Sequence, residues 1–130
     1  MNAFIVEIEN RAGQLSKIVG ALGDAGVNIT TGAGIGISDT GGFGFLTDNE
    51  AGANQALRAA NIPYRTVAVV VAQVPNVAGS LAHAARRLSG AGVNVHLVVP
   101  ISIGDTDAIA FGVLEGDAAA ARTALGDLAG

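Results

Sequence analysis

The sequence predicts an α+β protein made of two tandem copies of one small unit, each with its helices on one face of an antiparallel sheet. Three observations carry this. The chain matches itself at an offset of 66 residues, each copy reads β-α-β-β-α by hydrophobic period, and half of the 130 residues are hydrophobic while 14% are charged. The last supplies a core, built mostly from Ala, Val, Ile and Leu because only 4% of residues are aromatic.

The repeat is densest where Asn10 to Asn28 lies over Asn76 to Asn94, with nine identities in nineteen positions that include Asn10/Asn76, Ala12/Ala78, Gly13/Gly79, Leu15/Leu81, Leu22/Leu88 and the whole run AGVN. It continues without a gap through Ile35/Ile101, Ile37/Ile103, Asp39/Asp105, Thr40/Thr106 and Phe45/Phe111. Two copies are too few for a solenoid, so the pattern predicts a duplicated domain, residues 1–66 and 67–130.

Within each copy the elements follow in order. Ala3 to Glu9 alternates and is rich in Ile, Val and Phe, as a strand does, and Val67 to Val74 is its counterpart. Leu15, Ile18, Val19 and Leu22 keep the spacing of one buried helix face, with Gly26 as the left-handed stop. Leu81, Ala84, Ala85, Leu88 and Gly92 repeat the pattern. Val27 to Ile37 and Val93 to Ile103 read as strands, each followed by an Asp-Thr turn and a further strand at Phe43 to Thr47 or Ala108 to Leu114. Alanine-rich helices follow at Ala51 to Ala60 and Ala118 to Leu128. Tyr64 to Val74 holds no turn residue and has to serve as last strand of the first unit and first strand of the second, whose own last strand is missing at Gly130. A split βαβ order of this kind is ferredoxin-like.

Composition excludes several functions. Seven basic against eleven acidic residues give a net charge of −4, the wrong sign for a phosphate-backbone binder, so no nucleic acid is expected. The N-terminus has no basic segment and reaches Glu7, and no apolar run approaches the length of a membrane span, so the expectation is a soluble, cytoplasmic chain with no membrane partner. Absence of cysteine removes disulfides, thiolate metal sites and cysteine nucleophiles together.

The chemistry points to two loops, ENRAGQL at Glu9 to Leu15 and PNVAGSL at Pro75 to Leu81, each joining a first strand to a first helix. N-H groups at a helix start favour an anion such as a carboxylate, and glycine lets it approach the backbone. Asn10 and Asn76 stand where a cap or Asx turn would sit, and Asn28 and Asn94 open the next strands. Arg11 and Gln14 face Val77 and Ser80 in the other copy, so the first loop is the more polar and cationic and is expected to suit an anion better.

Strand, N-x-A-G-x-L, a helix ending A-L-x-x-A-G-V-N-I, then a hairpin and second helix resemble the ACT domain, a small ligand-binding unit of amino-acid biosynthetic regulators. The resemblance covers nearly the whole chain, twice. It implies a free amino acid bound at an interface between units, by loop residues Asn10, Arg11, Ala12, Gly13, Gln14 and Leu15 with Asn28 and Ile29. In the second copy Asn76, Val77, Ala78, Gly79, Ser80 and Leu81 with Asn94 and Val95 take those places. The ligand carboxylate would meet N-H groups at Gly13 and Gln14 or at Gly79 and Ser80.

Other signals are set aside. Gly32-Ala-Gly34-Ile-Gly36 lacks the third glycine spacing and the following helix of a dinucleotide site, and reads as a strand approached closely by a neighbour. His83 and His96 are too few for a metal site, with His83 on a solvated helix face and His96 in a structural strand position. Ser80 has no acid-histidine pair to activate it. Asp105 with Asp107 and Glu115 with Asp117 read as solubilising turn acids, and Arg86 with Arg87 as a solvated pair.

The expected function is therefore a non-catalytic, cofactor-free regulator that binds a small amino acid. The alternative is a ligand-free dimerisation module serving a partner biosynthetic enzyme as its regulatory subunit. The apolar run Val67 to Val74, lacking its usual neighbour, predicts a homodimer, with this edge or the Val27 to Ile37 edges covered by the other chain or by the first copy.

Overall fold

The computed structural model describes residues 1–129; Gly130, the expected end of the second unit, lies outside the described residues. The chain divides into two compact units, Asn2–Thr66 and Met1 with Val67–Gly130.

In the first unit, β1 (Asn2–Glu9) leads into α1 (Gln14–Asp24), the hairpin β2 (Ile29–Ile37) and β3 (Thr40–Thr47), and α2 (Glu50–Ala59). β3 lies between β1 and β2, antiparallel to both, with Phe4 opposite Phe45 and Ile35 opposite Gly42. Alternation sends Phe4, Val6 and Phe45 to one face, where Ile18 and Leu22 of α1 and Ala53 and Leu57 of α2 close on them in one core cluster. Both helices therefore share a face. The Phe4 and Phe45 rings stack at 5.2 Å, and Tyr64 tilts against Phe4 at 5.7 Å.

β4 (Arg65–Ala72) crosses the boundary between the units as one uninterrupted strand. α3 (Ser80–Gly90), β5 (Leu97–Ile103), β6 (Thr106–Val113) and α4 (Ala118–Leu125) follow, with 3-10 turns at Glu115–Asp117 and Gly126–Leu128. Here β6 lies between β4 and β5, antiparallel to both. Ala68, Val70, Phe111 and Val113 meet Ala84, Leu88, Ala121 and Leu125 in the second core.

The helix stops obey one device. Gly26 and Gly92 take φ of +72° and +73°, the N-H of Val27 and Val93 returns to the carbonyl of Leu22 and Leu88, and those apolar pairs are buried. This is a Schellman closure.

Several expectations are corrected. Leu15 and Leu81 do not face the core: they are 50% and 47% exposed, and Ala85 is exposed too, so the buried stripes reduce to Ile18/Leu22 and Ala84/Leu88. The second hairpin starts at Leu97, which leaves Asn94, Val95 and His96 ahead of the strand. The edge at Val69 to Val74, expected to be covered by the other chain or by the first copy, has partners within this chain, since Val69 N-H donates to the Met1 carbonyl, Gln73 N-H donates to that of Leu128 at 2.7 Å, and Ala72 bridges Ala129. Arg87 is no solvated cation; it donates to the Leu125 carbonyl and, at 2.8 Å, to Asp127, tying the C-terminal turn to α3.

Candidate functional site

The two strand-to-helix loops end alike. Gly13 and Gly79 are the N-caps of α1 and α3, at φ of +91° and +90°, and no side chain caps either helix. Glycine is required there because an L side chain rarely adopts this conformation. Asn10 and Asn76 are thus not caps. The N-H groups of Gln14 and Ser80, expected to meet a carboxylate, already donate to the carbonyls of Arg11 and Val77 at 3.4 and 3.2 Å. Those of Gly13 and Gly79 make no such bond among the described residues.

The loops differ in what closes them. Asn10 donates from Nδ2 to the carbonyl of Ser38 at 2.8 Å and from its N-H to that of Asp39 at 2.9 Å, fastening the first loop to the β2-β3 turn. Gly36 makes the room, since a Cβ on it would lie 2.6 Å from Asn10 Nδ2. The repeat puts Ser102 at that place in the second copy, where a side chain prevents the same seating. Asn76 makes no side-chain hydrogen bond among the described residues. Arg11, expected as a free cation, donates from Nε to Glu9 at 2.7 Å, which neutralises the first loop.

The second loop is open and lines a small cleft of about 210 Å³. This is below the ~300–1,000 Å³ of sites for drug-sized ligands and limits an occupant to a smaller molecule. Asn76, Val77, Ser80 and Leu81 form its loop side. Val74, Pro75, Pro100, Ile101, Ala108 and Ile109 supply apolar wall, and Asp107 the one carboxylate in the lining. Ala78 and Gly79, between these residues, are exposed. The arrangement offers an apolar body with an amide, a hydroxyl, an anion and an uncapped helix start, which suits a small zwitterion.

Sequence reasoning missed Asp107, Pro100 and Ile109. Their signal was in the differences between the copies, where Asp107 replaces Gly41, Pro100 replaces Gly34 and Ile109 replaces Phe43.

The strand-start residues are not brought to the loops within a unit. Asn28 follows the C-terminus of α1, an 11-residue helix about 16 Å long with Gly13 at its other end. Asn94 stands in the same relation to Gly79 across α3. Both asparagines are exposed, while Ile29 and Val95 pack against the cores. Asn28 accepts from Thr47 Oγ1 through its carbonyl at 2.7 Å. Ala12 is exposed on the first loop. His83 is exposed, and His96, outside the cleft, buries Nε2 without a hydrogen-bond partner. Among the described residues no group of three His, Cys, Asp or Glu could hold a metal ion, and no helix is long and apolar enough to cross a membrane.

No protein-family model and no curated protein sequence matches the chain. Solved structures do. A protein from Bacteroides thetaiotaomicron superposes with a TM-score of 0.75 at 20% identity, over 97% of this chain and 86% of that one. The ligand-free regulatory subunit of aspartate kinase from Thermus thermophilus gives 0.69 at 18%, over 98% and 91%. Aspartate kinase from Clostridium acetobutylicum gives 0.66 at 16%, with 95% of this chain matching 32% of that enzyme. The likeness is one of fold: an α+β, ACT-like ferredoxin arrangement.

Proposed function

We propose that the protein is a non-catalytic regulator whose two units are ACT-type copies, and that it binds a small free amino acid and passes the occupancy to its own assembly or to a partner enzyme. The observation that carries this reading is the open cleft at the second loop, where Asn76, Ser80 and Asp107 stand around apolar wall below the uncapped start of α3. A zwitterion needs a donor side for its carboxylate, an acceptor side for its ammonium and room for its side chain. Structural neighbours that are regulatory subunits support a regulatory role by analogy of fold. The reading assigns the chain to the cytoplasm, without cofactor, nucleic acid or membrane, as a homodimer. The first loop and the strand-start residues Asn28 and Ile29 then act in assembly rather than in a site within one unit.

Calorimetry with the twenty amino acids tests it, with at least one expected to bind with Kd below millimolar. Failure of all twenty leaves the second reading, a ligand-free interaction module. That reading is favoured by Ile35 and Ile37, 67% and 65% exposed on β2, which pairs on one side with β3. Exposed apolar side chains beside an unpaired strand edge are an association surface.

A further inference from the structure

We infer that the chain holds a single ligand site, in the second copy, and that it takes an amino acid with an uncharged aliphatic side chain whose ammonium is met by Asp107. The inference rests on the amino-acid reading and adds which copy binds and what it selects.

The two copies differ at several positions around the loops. Pro75 and Val77, apolar walls of the open cleft, correspond to Glu9 and Arg11, which join in an ion pair at 2.7 Å. Asp107 corresponds to Gly41, so the first copy has no carboxylate at this place. Gly41 is held so close that a Cβ on it would stand 2.8 Å from the Ile35 carbonyl. Asn76 is uncommitted, while its counterpart Asn10 is spent on Ser38, in a seat that Gly36 permits and Ser102 does not. The first loop is therefore fastened to the β2-β3 turn with Arg11 paired to Glu9, and the second is open with one acid that has no partner among the described residues.

Selectivity follows from the lining. Beyond Asp107 the walls facing a bound side chain are Val74, Val77, Pro100, Ile101 and Ile109, with no cation to meet an acidic side chain and no second acid to meet a basic one. A charged side chain placed there would lose hydration without a partner, whereas an aliphatic one gains from leaving water.

Calorimetry on the intact protein with valine, leucine, isoleucine and methionine against glutamate and lysine tests this. The expected result is one ligand per chain, an aliphatic amino acid bound at least tenfold tighter than either charged one, and Kd raised at least tenfold by Asp107→Asn. Arg11→Ala should leave Kd unchanged. The double variant Pro75→Glu/Val77→Arg, which transplants the first copy's ion pair, should remove binding while circular dichroism stays that of the parent. Two ligands per chain, preference for glutamate or lysine, or a Kd sensitive to Arg11→Ala and not to Asp107→Asn would overturn the inference and leave the amino-acid reading standing. Silence from all twenty amino acids would overturn both.

Discussion

Replacing Gly79 and Gly20 by alanine should move stability in opposite directions, for a reason internal to the backbone. At both places a Cβ would meet nothing within 4 Å, so clashes drop out of the comparison. Gly79 sits at φ +90°, and an L residue held in left-handed space costs about 1–2 kcal/mol. Reduced freedom of the unfolded chain returns about 0.4–1 kcal/mol, leaving Gly79→Ala destabilised by roughly 1 kcal/mol. Gly20 lies inside α1, where alanine is better than glycine by about 0.5–1 kcal/mol, so Gly20→Ala gains that amount. Urea unfolding followed by circular dichroism measures both. With a slope of about 1–3 kcal/mol/M, each variant shifts the midpoint by a few tenths of a molar to about 1 M, down for Gly79→Ala and up for Gly20→Ala. A Gly79→Ala protein as stable as the parent, or a weakened Gly20→Ala, would refute the assignment of strain to the loop glycine. The same strain means that a valine at Gly13 or Gly79 perturbs folding as well as any ligand.

Leu22→Ala and Leu88→Ala remove fully buried side chains from the two cores and should each cost about 2–5 kcal/mol in the same urea experiment. Ser38, at φ +52°, stands where the second copy has Gly104 at φ +60°, so Ser38→Gly relieves strain and should stabilise the fold by up to about 1 kcal/mol, read as a higher urea midpoint. The hydrogen bond from Arg87, and then its charge, hold the Asp127 carboxyl below the usual range. A lowered folded pKa adds stability above the unfolded value near ~3.9 and loses it as the pH falls through the folded value. Thermal melts from pH 7 down to pH 2 should therefore show a slightly shallower acid decline for Asp127→Asn than for the parent, the effect being small because the aspartate is exposed.

Much of the architecture was legible because its signals are local. The 3.6 and 2 residue periods, the glycine stops at Gly26 and Gly92, and the turn residues each act within a few positions. Leu15 and Leu81 fit the helical period and yet are only half-buried, because periodicity reports which residues share a helix face but not how far the sheet extends beneath it. The Arg87 contact with Leu125 and Asp127 spans about forty residues and leaves no periodic trace.

The candidate site shows the same division. From sequence alone came the duplication, the order of elements and the two loops with their indispensable glycines, since identical local segments fold alike. Only the tertiary structure decided which loop is open. That choice depends on Gly36 meeting Asn10 across 26 positions of chain, on Arg11 turning to Glu9 instead of to a ligand, and on the β5-β6 hairpin carrying Asp107 to the mouth of the second loop. Each is a meeting of residues whose identities are plain in the sequence but whose distance is set by the packing of strands and helices. The copy that looked more suited to an anion closes on itself, because Asn10 donates to Ser38 and Arg11 to Glu9.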